Sequence, residues 1–248
     1  MQADPFINRP FSIALDLLRA GAAFAVLLGH SVQLQIYQGL PWITENFQHN
    51  AVALFFVLSG LVIANATLRK PGTLRDYAIA RLTRILPVAY LAVAFGFVAC
   101  LIATNSGLPL PAESEQDSAM SLSKLLIPLL FLSENGYGVL PVWNAPYWSL
   151  CYEVWFYGLF GAAVYLRGNQ RIFWLALLAI GAGPRVLLLL PVWLMGVWLA
   201  RKPPDSDIPL PVACIMIGSG VLGVWNLTMV TPAILAASNA ASSASTTA

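Results

Sequence analysis

At 248 residues, 58% hydrophobic and 10% charged, with a mean hydropathy of +0.74, the chain is too apolar for a soluble domain, which carries about 25% charge. It reads as a polytopic membrane protein. The net charge of +2 is spread along the loops and gives no basis for binding nucleic acid. Cys100, Cys151 and Cys214 lie in or beside apolar runs without metal-ligand spacing, which argues against a disulfide framework or a cysteine metal site.

Apolar runs fall at 11–34, 49–68, 82–104, 121–133, 147–166, 172–200 and 208–237. A helix needs roughly 20 residues to cross the hydrocarbon core, which 11–34, 49–68, 82–104 and 147–166 supply. The expected fold is all-α, a polytopic membrane bundle of about seven to eight transmembrane helices. It occupies residues 1–237 as one domain, incomplete at its C-terminal end, with a disordered Ser/Ala/Thr tail over 238–248. No signal-peptide pattern opens the chain, because Asp16 and Arg19 interrupt the first run. Loop 69–84 carries Arg69, Lys70, Arg75, Arg81 and Arg84, whereas 35–48 and 105–118 carry no Lys or Arg. By the positive-inside rule, 69–84 and the N-terminus are cytoplasmic and the other two loops external.

Beyond residue 120 two topologies stay open. If 121–133 crosses, Arg167 and Arg171 lie outside, against the rule. If it only dips into the interface, they lie inside, and 172–200 must then form a tight hairpin at Gly183-Pro184-Arg185 that keeps Arg201 and Lys202 inside.

In chain order, the first run holds Asp16, Arg19 and His30. Arg19 and His30 are almost three turns apart and share a face, about 16 Å from each other along the axis. Asp16 can pair with Arg19 at i, i+3. Arg19 is either an interfacial anchor or part of a site. His30 lies deep in the run, where an ionisable group is either structural or functional. Phe55-Phe56-Val57-Leu58-Ser59-Gly60 follows, with small residues suited to close helix packing. Arg81-Leu82-Thr83-Arg84 comes next. Two guanidinium groups one turn apart serve as a positive anchor or as a fork for phosphate.

The segment Trp148–Tyr157 carries the strongest signal. Glu153 stands in an apolar run with no Lys or Arg within ten residues on either side. A carboxyl group there faces a protein interior or a wet cavity. Ser149, Glu153 and Tyr157 recur at i, i+4, i+8 and share one face. Trp148 and Trp155 also fit an interfacial aromatic belt.

Leu15-Asp16-Leu17-Leu18-Arg19-Ala20 with His30, Phe55–Gly60, Arg81–Pro87 and Trp148–Glu153 with Phe156-Tyr157, in this order, resemble the membrane acyltransferase 3 family of bacterial surface-polysaccharide O-acyltransferases. The likeness covers about residues 10–200, and Leu194-Met195-Gly196-Val197-Trp198 resembles a later small-residue helix of the family. The chain is shorter than the family's usual length, compressed between Tyr157 and Met195. The resemblance implies transfer of an acyl group, expected to be acetyl, from cytoplasmic acyl-CoA to a hydroxyl of a cell-surface or exported carbohydrate or lipid-linked sugar. It implies His30 and Glu153 as catalytic residues, Arg81 and Arg84 as donor-binding, and Arg19, Ser59, Trp148, Ser149 and Tyr157 as supporting. Acetyl-CoA is then a co-substrate, no cofactor or metal is bound, and the site of action is the bacterial inner membrane, with a multi-pass chain in the lipid bilayer.

Two other readings remain. A transporter or flippase would use Arg19, His30 and Glu153 as a proton or substrate path, but has no need of a phosphate fork at Arg81 and Arg84. A non-catalytic remnant would keep the fold alone.

Overall fold

The computed structural model describes residues 9–33, 47–69, 72–106, 121–134 and 139–201. The described residues form six α-helices and no strand. They are α1 (Arg9–Gln33), α2 (Phe47–Arg69), α3 (Leu74–Asn105), α4 (Leu122–Leu129), α5 (Trp148–Tyr165) and α6 (Gly168–Ala200), with one 3-10 turn at Ala145–Tyr147 ahead of α5. The apolar run 208–237 and the tail 238–248 lie outside the described residues.

Among the described residues, four stretches are long and apolar enough to cross a membrane: Leu15–Val32, Ala51–Arg69, Leu74–Asn105 and Gly168–Ala200. Leu17, Leu91, Phe95 and Ile180 stand on their outward faces, as lipid-facing side chains do. The expected seven to eight crossings are not reached among the described residues. The run 121–133 yields only the eight-residue α4, about 12 Å long and too short for a core of about 30 Å. α5 has 18 residues, about 27 Å, near the lower limit for a span.

The described residues fall into two compact units, one within 1–68 and 191–201 and one within 69–190. In the first, α2 is the enclosed helix, with Phe56, Leu58, Leu61 and Ile63 buried. Gly60 faces the backbone carbonyl of Trp193, and Gly196 that of Val57, so a side chain at either would meet backbone. Without a hydrophobic drive between helices in lipid, such small-residue contacts let backbones approach and hold helices together. The Phe55–Gly60 motif is therefore a packing seam. α1 buries a narrow stripe of Leu15, Ala22 and Gly29, seven residues apart each time.

In the second unit α3 begins earlier than its apolar run. Thr73 and Asp76 form a capping box, the Thr73 N–H donating to Asp76 Oδ2 (3.0 Å) and the Asp76 N–H to Thr73 Oγ1 (3.2 Å). That nucleates the helix at Leu74, so Arg75, Arg81 and Arg84 are helical rather than in a loop. Ile85, Ala89, Val93, Gly96 and Cys100 form its buried seam. Gly96 lies against the Val142 carbonyl just before α5, and Tyr77 packs on Phe160 and Tyr165 near the end of α5 (ring centroids 6.0 and 5.4 Å). α5 therefore runs antiparallel to α3.

A two-residue connection, Leu166 and Arg167, leads to Gly168 at φ 54° and turns the chain back into α6. Leu178 meets Gly158, and Trp155 meets Gly181. With α4 too short to cross and α5 antiparallel to α3, Arg167 and Arg171 lie at the same end of this unit as Arg75, as the reading in which 121–133 does not cross requires. The tight hairpin over 172–200 that this reading also required is not formed. α6 is broken at Gly183 (φ 77°, ψ 168°), the position of the expected turn, yet helix resumes without an intervening loop.

Cysteines placed at Arg75 and Arg167, in a chain freed of its native cysteines, are expected to react with a membrane-impermeant thiol reagent from the same side. Labelling from opposite sides would contradict the antiparallel pairing of α3 and α5.

Candidate active site

The site in the second unit is built on facing turns of α3 and α5. Tyr77 and Arg81 are one turn apart, and the Arg81 guanidinium carbon sits 5.9 Å from the Tyr77 ring centroid, within cation–π range. The Tyr77 hydroxyl donates across to the main-chain carbonyl of Tyr157 (3.0 Å). The Tyr157 hydroxyl in turn donates to Glu153 Oε2 (3.0 Å). A cation on one helix and a carboxyl group on the next are thus joined through two tyrosines.

Glu153 and Tyr157 meet as the i, i+4 spacing requires. Ser149 does not join them: its hydroxyl donates to the Pro146 carbonyl at the start of α5 (3.1 Å). Trp148 stacks edge-on against Tyr152, and Tyr152 against Phe156 (centroids 5.3 and 6.1 Å), so Trp148 anchors the aromatic side of the helix. Arg81 and Arg84 part company. Arg81 is half-buried, with its Nε out of solvent and without a hydrogen-bond partner, whereas Arg84 is exposed. Arg19, His30 and Ser59 belong to the first unit. Asp16 and Arg19 approach to 4.0 Å, with the Arg19 side chain 27% exposed. His30 is half-buried beside buried Gly29, and Ser59 is buried beside the Gly60 seam.

Arg81 also lines a cavity of about 320 Å³ enclosed by α3, α5, the first half of α6 and residues 130–131. One wall is Phe131, held at φ 57°. A non-glycine residue in this region carries strain of about 1–3 kcal/mol and persists only where its surroundings fix it. Here the Phe131 N–H donates to the Pro128 carbonyl (2.8 Å), its own carbonyl accepts from Trp155 Nε1 (3.0 Å), and its ring stacks on Tyr147 (6.2 Å).

Sequence reasoning missed Tyr77, although its i, i+4 relation to Arg81 was available. It also missed Glu134, in the connection between α4 and α5. Burial pushes the Glu134 carboxyl above its ordinary range, while the nearby charge of Arg185 and a hydrogen bond from Tyr152 oppose that rise. Arg185 follows the helix break at Gly183 and had served only to mark a turn. A raised folded pKa means the native state holds the proton more tightly than the unfolded chain does. The resulting stabilisation is complete below the ordinary carboxylate value and is lost as pH rises through the raised one. Thermal melting of the wild type relative to Glu134→Gln should therefore fall over that interval, and a parallel pH profile for the two would contradict the burial of this carboxyl.

In comparison with known families, the family model for the acyltransferase domain matches residues 12–237. No curated protein and no solved structure matches the chain.

Proposed function

The chain belongs to the acyltransferase family whose model it matches over residues 12–237, and on that premise we propose that it is an integral membrane O-acyltransferase moving an acyl group from cytoplasmic acyl-CoA to a hydroxyl of a cell-surface or exported carbohydrate. The observation that carries this reading is the joined pair of α3 and α5, with Arg81 stacked on Tyr77 and Tyr77 bonded to the residue that holds Glu153.

In the proposed reaction, Arg81 and Arg84 hold the phosphates of the donor, for which charge-assisted guanidinium contacts are suited. The acceptor hydroxyl attacks the thioester carbonyl. A carbon–oxygen bond forms and the carbon–sulfur bond breaks. His30 takes the hydroxyl proton as general base and returns it to the sulfur, so that CoA leaves as the thiol. Glu153, oriented by Tyr157, holds the acceptor's hydroxyl groups. A membrane-embedded site limits loss of the thioester to water. The N-terminus and the Arg69–Arg84 cluster are assigned to the cytoplasmic side of a bacterial inner membrane, where CoA is found, by the distribution of positive charge.

The test uses membranes containing the protein and the cell's own glycans, incubated with acetyl-CoA labelled on the acyl group. The wild type should release CoA and place label in the carbohydrate fraction. His30→Ala should lose about 10²–10⁴-fold in rate, the usual worth of a positioned base, with expression retained, and Glu153→Gln should be impaired. Full transfer by His30→Ala would remove its catalytic role. No CoA release by the wild type, even with propionyl- or longer acyl-CoA, would overturn the reading as a whole.

A further inference from the structure

We propose that the cavity between α3, α5 and the first half of α6 binds the hydrocarbon chain of an anionic membrane lipid, with the lipid phosphate on Arg81. The inference does not rest on the transfer reaction. Its first ground is the lining. Ile85 and Leu86 from α3, Val154 and Gly158 from α5, Leu178 from α6 and Phe131 present almost only carbon to a space of about 320 Å³. A cavity of about 150 Å³ with such walls stays dry and takes benzene, so this one accommodates a substantial length of alkyl chain.

Its second ground is the rim. Leu74, Leu82 and Leu130 line the cavity and are also 39%, 48% and 64% exposed. Leu74 and Leu82 are in a helix apolar enough to cross a membrane. Leu82 stands where the apolar run 82–104 begins and Leu74 lies beside Arg75, so the opening sits at the boundary between headgroups and hydrocarbon, where a lipid chain can enter from the bilayer.

Its third ground is charge. Arg81 is the only charged residue among those lining the cavity, and among the described residues no carboxylate pairs with it. The Tyr77 ring supports one side of its guanidinium. Arg84 follows it within one turn of α3, and Arg75 precedes it by less than two turns. Such a cluster beside a hydrocarbon surface favours a lipid of net negative charge. A lipid headgroup and a donor phosphate exclude each other at Arg81, so lipid and donor compete for it.

Gly158 gives the means of closing the space. An added methyl would reach Leu178 at 3.6 Å, an ordinary contact, so Gly158→Ala fits, while a leucine would extend into the cavity. Trp155 lines the same space and reports on it, because bromine on a lipid chain quenches indole emission on contact. The full-length protein is reconstituted in vesicles of phosphatidylcholine containing either phosphatidylglycerol or phosphatidylcholine with brominated chains. The Trp155 component is obtained as the difference between the wild type and Trp155→Phe. It should lose most of its emission with brominated phosphatidylglycerol and clearly less with brominated phosphatidylcholine. Gly158→Ala should behave as the wild type, Gly158→Leu should restore the emission, and Arg81→Gln should erase the preference between the lipids. If Gly158→Leu does not fold, Ala78→Leu fills the same space from α3. Absence of quenching, equal quenching by the two lipids in the wild type, or quenching unchanged when the cavity is filled would each overturn the proposal. None of these readouts involves CoA, so failure here and failure of the acyltransferase reading are separate results.

Discussion

The Tyr77 hydroxyl reaches from α3 to a backbone carbonyl of α5, and the polar chemistry of the second unit depends on that reach. The Tyr157 carbonyl has two lone pairs, one available to its own helix and one to Tyr77. Gly161 permits the approach: a methyl at that position would lie 2.9 Å from the Tyr77 ring. With the ring fixed, Arg81 has a surface to stack on, and Tyr157 is held where its hydroxyl meets Glu153. A carboxyl group in an apolar helix is costly unless it is hydrogen-bonded. Its partner here comes from its own helix, while the position of that partner is fixed by a neighbouring one.

The same dependence on small residues recurs away from the site. Gly60 and Gly196 meet backbone in the first unit, Gly96 meets the Val142 carbonyl, and Gly181 accepts the Trp155 ring. Trp155 then spans two duties, packing into α6 and donating to the strained Phe131 carbonyl. The cavity wall, the α5–α6 hairpin and the α3–α5 tether therefore each include close small-residue contacts, as expected where lipid replaces water.

The helices α1 and α2 were legible because apolar runs of spanning length bounded by polar loops leave few alternatives. The Glu153–Tyr157 pair was legible because its partners share one helix and a fixed spacing. The Arg69–Arg84 stretch was read as a loop from its charge, but the capping box at Thr73–Asp76 makes most of it helix. The run 121–133 looked like a possible crossing, and a residue count could not show that helix stops at Leu129 and that Phe131 takes a left-handed backbone. Ser149 shares a face with Glu153 in an ideal helix, yet at the helix start its hydroxyl is taken by Pro146. Glu134 and Arg185 were missed because their roles arise only when separate elements pack together, and Tyr77, although one turn from Arg81, because its bond to the Tyr157 carbonyl is made to another helix.

The most direct test of the tether is a double-mutant cycle on acyl transfer from labelled acetyl-CoA, with Tyr77→Phe, Glu153→Gln and the two combined. Both changes act on Tyr157, one at its carbonyl and one at its hydroxyl. The account predicts non-additive effects, with a coupling of about 0.5–3 kcal/mol, as for residues of one network. Effects that add to within about 0.3–0.5 kcal/mol, as for independent sites, would contradict it.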